Sequence, residues 1–293
     1  MRVSHPFPSL VNAIATGGIA ILAGADPATA LRLAASMACL QASIGTVNDL
    51  VDAPLDARSK LGKPLVAGHL PTSLARAWAG FSVVLGLALA APSGVATLGL
   101  AAAGVGLGYL YDARLSRTAW SWLPLSLALP LVPIFAWAGA TGGVPPGLAV
   151  LIPVAVIAGG ALMVGNALVD VERDALAGKA TVVVRFGRRA AWLAHAAALA
   201  GAVALALALA PGGDAGVPTS GGGKGQAVAL LNQVRTLGVP LGGALIGVGV
   251  WLLAMSRATV RERGWELEAV GTAVLGLGWL AGTAALAGVG VRS

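Results

Sequence analysis

Long apolar runs punctuated by short polar segments dominate this chain. Most runs approach the roughly 20 residues that a helix needs to cross about 30 Å of hydrocarbon. They predict helices over 8–24, 27–50, 72–91, 94–111, 119–139, 146–170, 187–210, 227–255 and 266–290. Asp26-Pro27 reads as a helix N-cap followed by a first-turn proline. "PSG" at 92–94, "GGVPP" at 142–146 and "PGGDAGVPTSGGGKG" at 211–225 read as turns or a flexible linker. The short alternating segments of a membrane barrel are absent, and an open sheet in lipid could not satisfy its backbone. The pattern therefore predicts an all-α integral membrane protein, with nine transmembrane helices in one polytopic domain over 1–293.

Composition strengthens this reading. Hydrophobic residues make up 57% of the chain and charged residues 11%, with a mean hydropathy of +0.84, far from the balance of a soluble domain. The 42 glycines suit close helix packing in lipid. A single cysteine, Cys39, excludes a disulfide scaffold or a cysteine-based zinc site. The net charge of +7 would suit nucleic acid in a soluble protein. Here it reads as basic cytoplasmic loops, with the lipid bilayer rather than nucleic acid as partner. Near the N-terminus, Arg2, Pro6, Pro8 and a Gly-rich run read as a retained first helix, despite the signal-like "ATA" at 28–30.

If every span crosses, fifteen of the nineteen Lys and Arg residues fall on one side of the membrane. The positive-inside rule then places the N-terminus and the charged loops in the cytoplasm and the C-terminus outside. Acidic residues are skewed to the same side: Asp49, Asp52, Asp56, Asp112, Asp170, Glu172 and Asp174. The charge rule does not require this, so the clustering asks for a functional reason.

Two segments share a pattern. "NDLVDAPLDA" (48–57) and "NALVDVERDA" (166–175) agree at six of ten positions, and each ends an apolar span. Four spans apart, they share direction and side, as in a parallel internal repeat over 1–118 and 119–265. Residues four apart share a helical face. Asn48, Asp52 and Asp56 thus form one stripe with Asp49 beside it, and Asn166, Asp170 and Asp174 form another. Glu172 points away and is a weaker ligand candidate. Pro54 is expected to loosen the last turn before Asp56.

Carboxylates stacked on one face repel where water is scarce, and a cation between them relieves the cost. All-oxygen donors suit Mg²⁺, with Mn²⁺ as second candidate, and Mg²⁺ commonly shares its sphere with substrate phosphates. Arg58, Lys60, Lys63, Lys179 and Arg185 are placed to hold diphosphate oxygens. The bland alternative for either stripe is a solvated helix end. Two matching stripes beside a basic rim point instead to a diphosphate site at the membrane surface.

These segments resemble the UbiA superfamily of intramembrane prenyltransferases. "NDLVDAPLD" fits its first aspartate-rich pattern, NDxxDxxxD, and "DVERDALAGKATVVVRFG" is similar to its second motif and tail. "KPLVAGHLP" (63–71) resembles the Arg-Pro-Leu-x-x-Gly segment with lysine for arginine, and "YLYDARLSRTAW" (109–120) resembles the tyrosine-bearing loop. The resemblance implies a bundle around a central cavity and Mg²⁺-bound isoprenyl diphosphate. It implies ionisation to an allylic cation, release of pyrophosphate, and capture by a hydrophobic acceptor such as an aromatic quinone precursor. By position, Asn48, Asp49, Asp52 and Asp56 would bind one Mg²⁺–diphosphate, and Asp170 and Asp174 the other. Asp49, Asp52, Asp170 and Asp174 would be the catalytic acids, with Arg117 and Lys179 on diphosphate oxygens. Gln41, Asn166, Tyr109 and Tyr111 are the candidate substrate contacts, and Trp137 is a further aromatic face that could steady a carbocation.

Departures from the family pattern bear on substrate. Gln41 stands where relatives that prenylate hydroxybenzoate carry an arginine, which weakens the case for an aromatic carboxylate. Ala167 replaces a common Asp or Asn, and Ser116 replaces a lysine. Other signals read as structural: His5 and His195 as helix-end residues, His69 as a loop histidine, and "RATVRERGWELE" (257–268) as a solvated interfacial loop. "GGGKGQ" (221–226) has no Ser or Thr after the lysine and reads as linker rather than a phosphate loop. Two rival functions stand beside prenyl transfer: a membrane terpene cyclase of the same fold, and an ion-coupled transporter.

Overall fold

A computed structural model describes residues 6–57, 61–210 and 223–286. Arg58, Lys60, His5 and the 211–222 part of the linker lie outside the described residues. The chain forms α1 (Pro6–Leu22), α2 (Pro27–Asp56), α3 (Thr72–Ala90), α4 (Val95–Leu110), α5 (Leu123–Ala128) and α6 (Leu131–Thr141). These are followed by α7 (Leu151–Val169), α8 (Val171–Leu176), α9 (Val182–Phe186), α10 (Arg188–Ala208), α11 (Gly223–Leu253) and α12 (Ala258–Leu286). No strand occurs among the described residues.

Every predicted apolar run is mainly helical over its described residues. By length and composition, eight helical segments among the described residues can cross a membrane, while α1 is a shorter apolar helix of 17 residues. The protein is thus an all-α integral membrane bundle. Asp26 caps α2 as its sequence predicts: its Oδ1 accepts from the backbone N–H groups of Ala28 at 2.9 Å and Thr29 at 3.1 Å.

Four local expectations fail for physical reasons. The fifth run is two helices, because Pro130 breaks the ladder between α5 and α6. The first acidic stripe does not unwind at Pro54, since α2 stays helical through Asp56. The second stripe is the broken one: α7 stops at Val169, Asp170 takes φ −103° and ψ 11°, and α8 restarts at Val171. The "RATVRERGWELE" segment is no loop, because α12 begins at Ala258 and its Arg261 is fully buried.

Buried polar groups pin the helices together. Nδ1 of His195 on α10 donates to the Ala161 carbonyl of α7 at 2.8 Å, and its Nε2 lies 2.9 Å from Glu268 Oε1 on α12. His195 is therefore a core residue with an acidic partner rather than a helix-end residue. Gly165 makes room for the pair, since a Cβ there would stand 3.0 Å from both Glu268 Oε2 and His195 Cε1. Between α11 and α12 the backbones touch: a Cβ on Gly249 would lie 2.6 Å from the Gly264 carbonyl oxygen.

Candidate active site

The helices enclose a cavity of about 1000 Å³. Its lining on α2 runs from Met37 to Asp52, a rise of roughly 22 Å at 1.5 Å per residue. Ile19, Leu40, Val105, Phe135, Leu162 and Leu280 line the apolar part. The polar end gathers the ends of α2, α4 and α7 with α8 and the loop that follows it.

There the two acidic motifs meet. Asp49, Asp52, Asp170, Asp174 and Asn48 all line the cavity, as do Lys63, Lys179 and Asn166. The Lys179 ammonium lies 3.1 Å from Asp174 Oδ1 and 4.0 Å from Asp52 Oδ2, so the stripes face each other across a single cation. Arg117 Nη2 lies 3.4 Å from Asp52 Oδ1 and donates to the Val51 carbonyl at 3.2 Å. Arg173, which sequence reasoning passed over, lines the same end and pairs with Asp170 at 2.6 Å.

Lys63 sits against the first motif, 2.6 Å from Asp49 Oδ1 and 2.7 Å from Asp56 Oδ2. Burial alone would lower its pKa, but the hydrogen bonds and charges of Asp49 and Asp56 outweigh that and hold it above the ordinary lysine range. A raised lysine pKa means that the contact is fully present below about pH 10 and is lost only as pH rises through the folded value. Asp56 does not line the cavity; it is buried beneath it and reaches the site through Lys63.

Position at the end of α4 adds a residue that the motifs missed. A π-type turn over Tyr111–Leu115 buries Asp112 and brings its Oδ1 within 2.8 Å of Asn48 Nδ2. Such turns concentrate at functional sites. The available signal was that Asp112 shares the acidic side with both motifs. Asp112 lines the cavity itself, and its carboxylate fixes the Asn48 amide.

The remaining candidates divide. Tyr111, Gln41 and Asn166 line the cavity. Tyr109 does not: its hydroxyl shares a 2.7 Å hydrogen bond with Ser43, and its ring packs beside the α2–α4 core. Trp137 is likewise core, on α6. Arg185 is exposed on α9 and stands outside the lining. Glu172 faces away from the cavity and pairs with buried Arg261.

The donors suit a hard divalent ion. They are oxygens only, and each motif already holds cationic groups against its carboxylates. No three Asp, Glu, His or Cys side chains converge on one point among the described residues. The arrangement fits an ion whose shell is completed by water and ligand phosphate oxygens.

The fold and site together define an all-α membrane protein whose apolar cavity ends in two opposed carboxylate motifs and lysines. The sequence pattern of the UbiA prenyltransferase family matches residues 9–267, and the chain belongs to that family. A digeranylgeranylglyceryl phosphate synthase from Methanoregula boonei is 30% identical over 170 residues, covering 57% of this chain. The match spans only 60% of that relative's length. A UbiA homologue from Archaeoglobus fulgidus, bound to GPP and Mg²⁺, superposes with a TM-score of 0.65 at 19% identity, over 94% of this chain and 98% of that one. An apo UbiA homologue from Aeropyrum pernix K1 gives a TM-score of 0.65 at 22% identity, over 95% and 98% of the two chains. These likenesses establish the shared fold.

Proposed function

We propose that this protein transfers an isoprenyl group from an isoprenyl diphosphate to a lipid-soluble acceptor at the cytoplasmic face of the membrane. The observation that carries the reading is the convergence of both acidic motifs on Lys179 at the polar end of a deep apolar cavity. The A. fulgidus homologue, which shares the fold, was solved with GPP and Mg²⁺. Asn48, Asp49, Asp52, Asp170 and Asp174 would hold Mg²⁺, or Mn²⁺ in its place. When bound, the ion supplies charge neutralisation for the diphosphate.

The chain's own groups do the rest. Lys63, Lys179 and Arg117 donate to diphosphate oxygens and stabilise the charge that grows on the leaving group. The bond between the isoprenyl C1 and the diphosphate oxygen breaks, its electron pair leaving with pyrophosphate. The apolar wall excludes water from the resulting allylic cation, and the Tyr111 ring offers it a π face. The acceptor's nucleophilic atom forms the new bond and loses its proton, which leaves on the released pyrophosphate. Gln41, two turns deeper on α2 than Asn48, and Asn166 offer uncharged hydrogen bonds from the cavity wall, which suit a quinone-precursor-like aromatic acceptor without a carboxylate.

Purified protein in nanodiscs, given Mg²⁺ and a series of isoprenyl diphosphates with and without a lipid extract, tests this. Prenylated product that depends on the extract is the expected result. A cyclic hydrocarbon formed without acceptor would assign the site to cyclisation instead. If pyrophosphate is released from none of the diphosphates, the reading is overturned.

A further inference from the structure

We propose that Arg261 is the positioning residue of the second acidic motif, acting with Glu172 as a clamp that sets the break between α7 and α8. The inference rests on the prenyl-transfer reading. Arg261 is fully buried on the first turn of α12, far along the chain from either motif. Its Nη2 donates to the Val169 carbonyl at 3.0 Å and pairs with Glu172. Its Nη1 donates to the Ser256 carbonyl at 2.6 Å, at the turn that ends α11.

The geometry explains why a guanidinium stands here. Where α7 stops, its last carbonyls lose their partners in the helix. Val169 immediately precedes Asp170, and Arg261 takes up the Val169 oxygen without using either aspartate. The fork reaches two backbone segments and a carboxylate at once, which a single ammonium cannot do. Glu172 balances the buried charge and ties the start of α8 to the same point. Asp170 is thus held at the break, and Asp174 follows one turn later, its N–H donating to the Asp170 carbonyl at 2.8 Å. At the first motif the helix is continuous through Asp56, so there is no break to hold.

The clamp predicts a binding defect separable from loss of stability. Arg188 supplies the control: it donates to the Ala254 carbonyl at 2.8 Å and to the Met255 carbonyl, capping the same end of α11, and its hydrogen bonds among the described residues reach neither motif. Binding of Mn²⁺ with inorganic pyrophosphate, followed by the electron paramagnetic resonance of free Mn²⁺, is compared with melting temperature in full-length protein. Arg261→Lys is expected to weaken Mn²⁺–pyrophosphate binding about tenfold, as loss of a group that orients metal ligands commonly does. Glu172→Gln, which keeps a hydrogen-bond acceptor, is expected to weaken it less, and Arg188→Lys to lower the melting temperature with affinity unchanged. Wild-type affinity in Arg261→Lys would overturn the clamp. Equal loss in Arg188→Lys would also overturn it, assigning the effect to general loosening of α11. A wild-type protein that binds no Mn²⁺ with pyrophosphate would instead bring down the prenyl-transfer reading, and the clamp with it.

Discussion

The two acidic motifs share six of ten residues, yet they are built differently. At the first, α2 runs unbroken through Pro54, and a lysine from the following loop binds Asp49 and Asp56. At the second, the helix breaks at Asp170, with Arg173 and Lys179 paired to its acids and Arg261 behind it. Local pattern therefore set which donors are present, and tertiary partners set how each is presented. Pro54, expected to loosen the last turn of its helix, leaves α2 continuous, while the motif without a proline is interrupted at Asp170. A helix end is decided by who takes its free carbonyls as much as by propensity.

If the motifs are halves of one site, damage to either should be severe. Asp52→Ala and Asp174→Ala should each lower pyrophosphate release by at least about 100-fold, the scale seen when one electrostatic stabiliser is removed. Initial rates at saturating isoprenyl diphosphate check this; a variant near wild-type rate would make that motif structural. Lys63→Met should weaken pyrophosphate binding by roughly 10- to 100-fold, the worth of a charged hydrogen bond. Because its pKa is raised, wild-type binding should show no lysine titration below about pH 10, which a pH series of calorimetric titrations would read.

Smaller effects sharpen the boundary of the site. Tyr109→Phe should cost about 1 kcal/mol of stability through the lost bond to Ser43 and leave turnover intact, whereas Tyr111→Leu should slow turnover. Comparing melts and rates for the pair separates the ring in the core from the ring in the cavity. Arg185→Ala should change pyrophosphate affinity by no more than about twofold, as exposed substitutions usually do.

Much of this was legible in the sequence because bilayer length and acid spacing are local signals. The helical runs and the cap at Asp26 follow from residues near one another in the chain, and the shared spacing within each motif paired the two as candidates for one site. What was hidden depended on distance in sequence. Asp112 needed the π-type turn to reach Asn48, and His195 needed Glu268 from another helix. Arg261 read as a solvated charge until the fold brought Val169 and Glu172 to it. Tyr109 and Arg185 stand outside the cavity lining for the converse reason: a motif carries a side chain's type, but the packing decides which way it faces.

The central claim is that the two motifs act as one site, and a double-mutant cycle tests it most directly. Mn²⁺–pyrophosphate affinity would be measured for wild type, Asp52→Ala, Asp174→Ala and the double variant. Groups that share one ligand are coupled by roughly 0.5–3 kcal/mol, so the double variant should bind little worse than the weaker single variant. Losses that multiply, with no coupling, would contradict a shared site and leave the motifs as two independent ones.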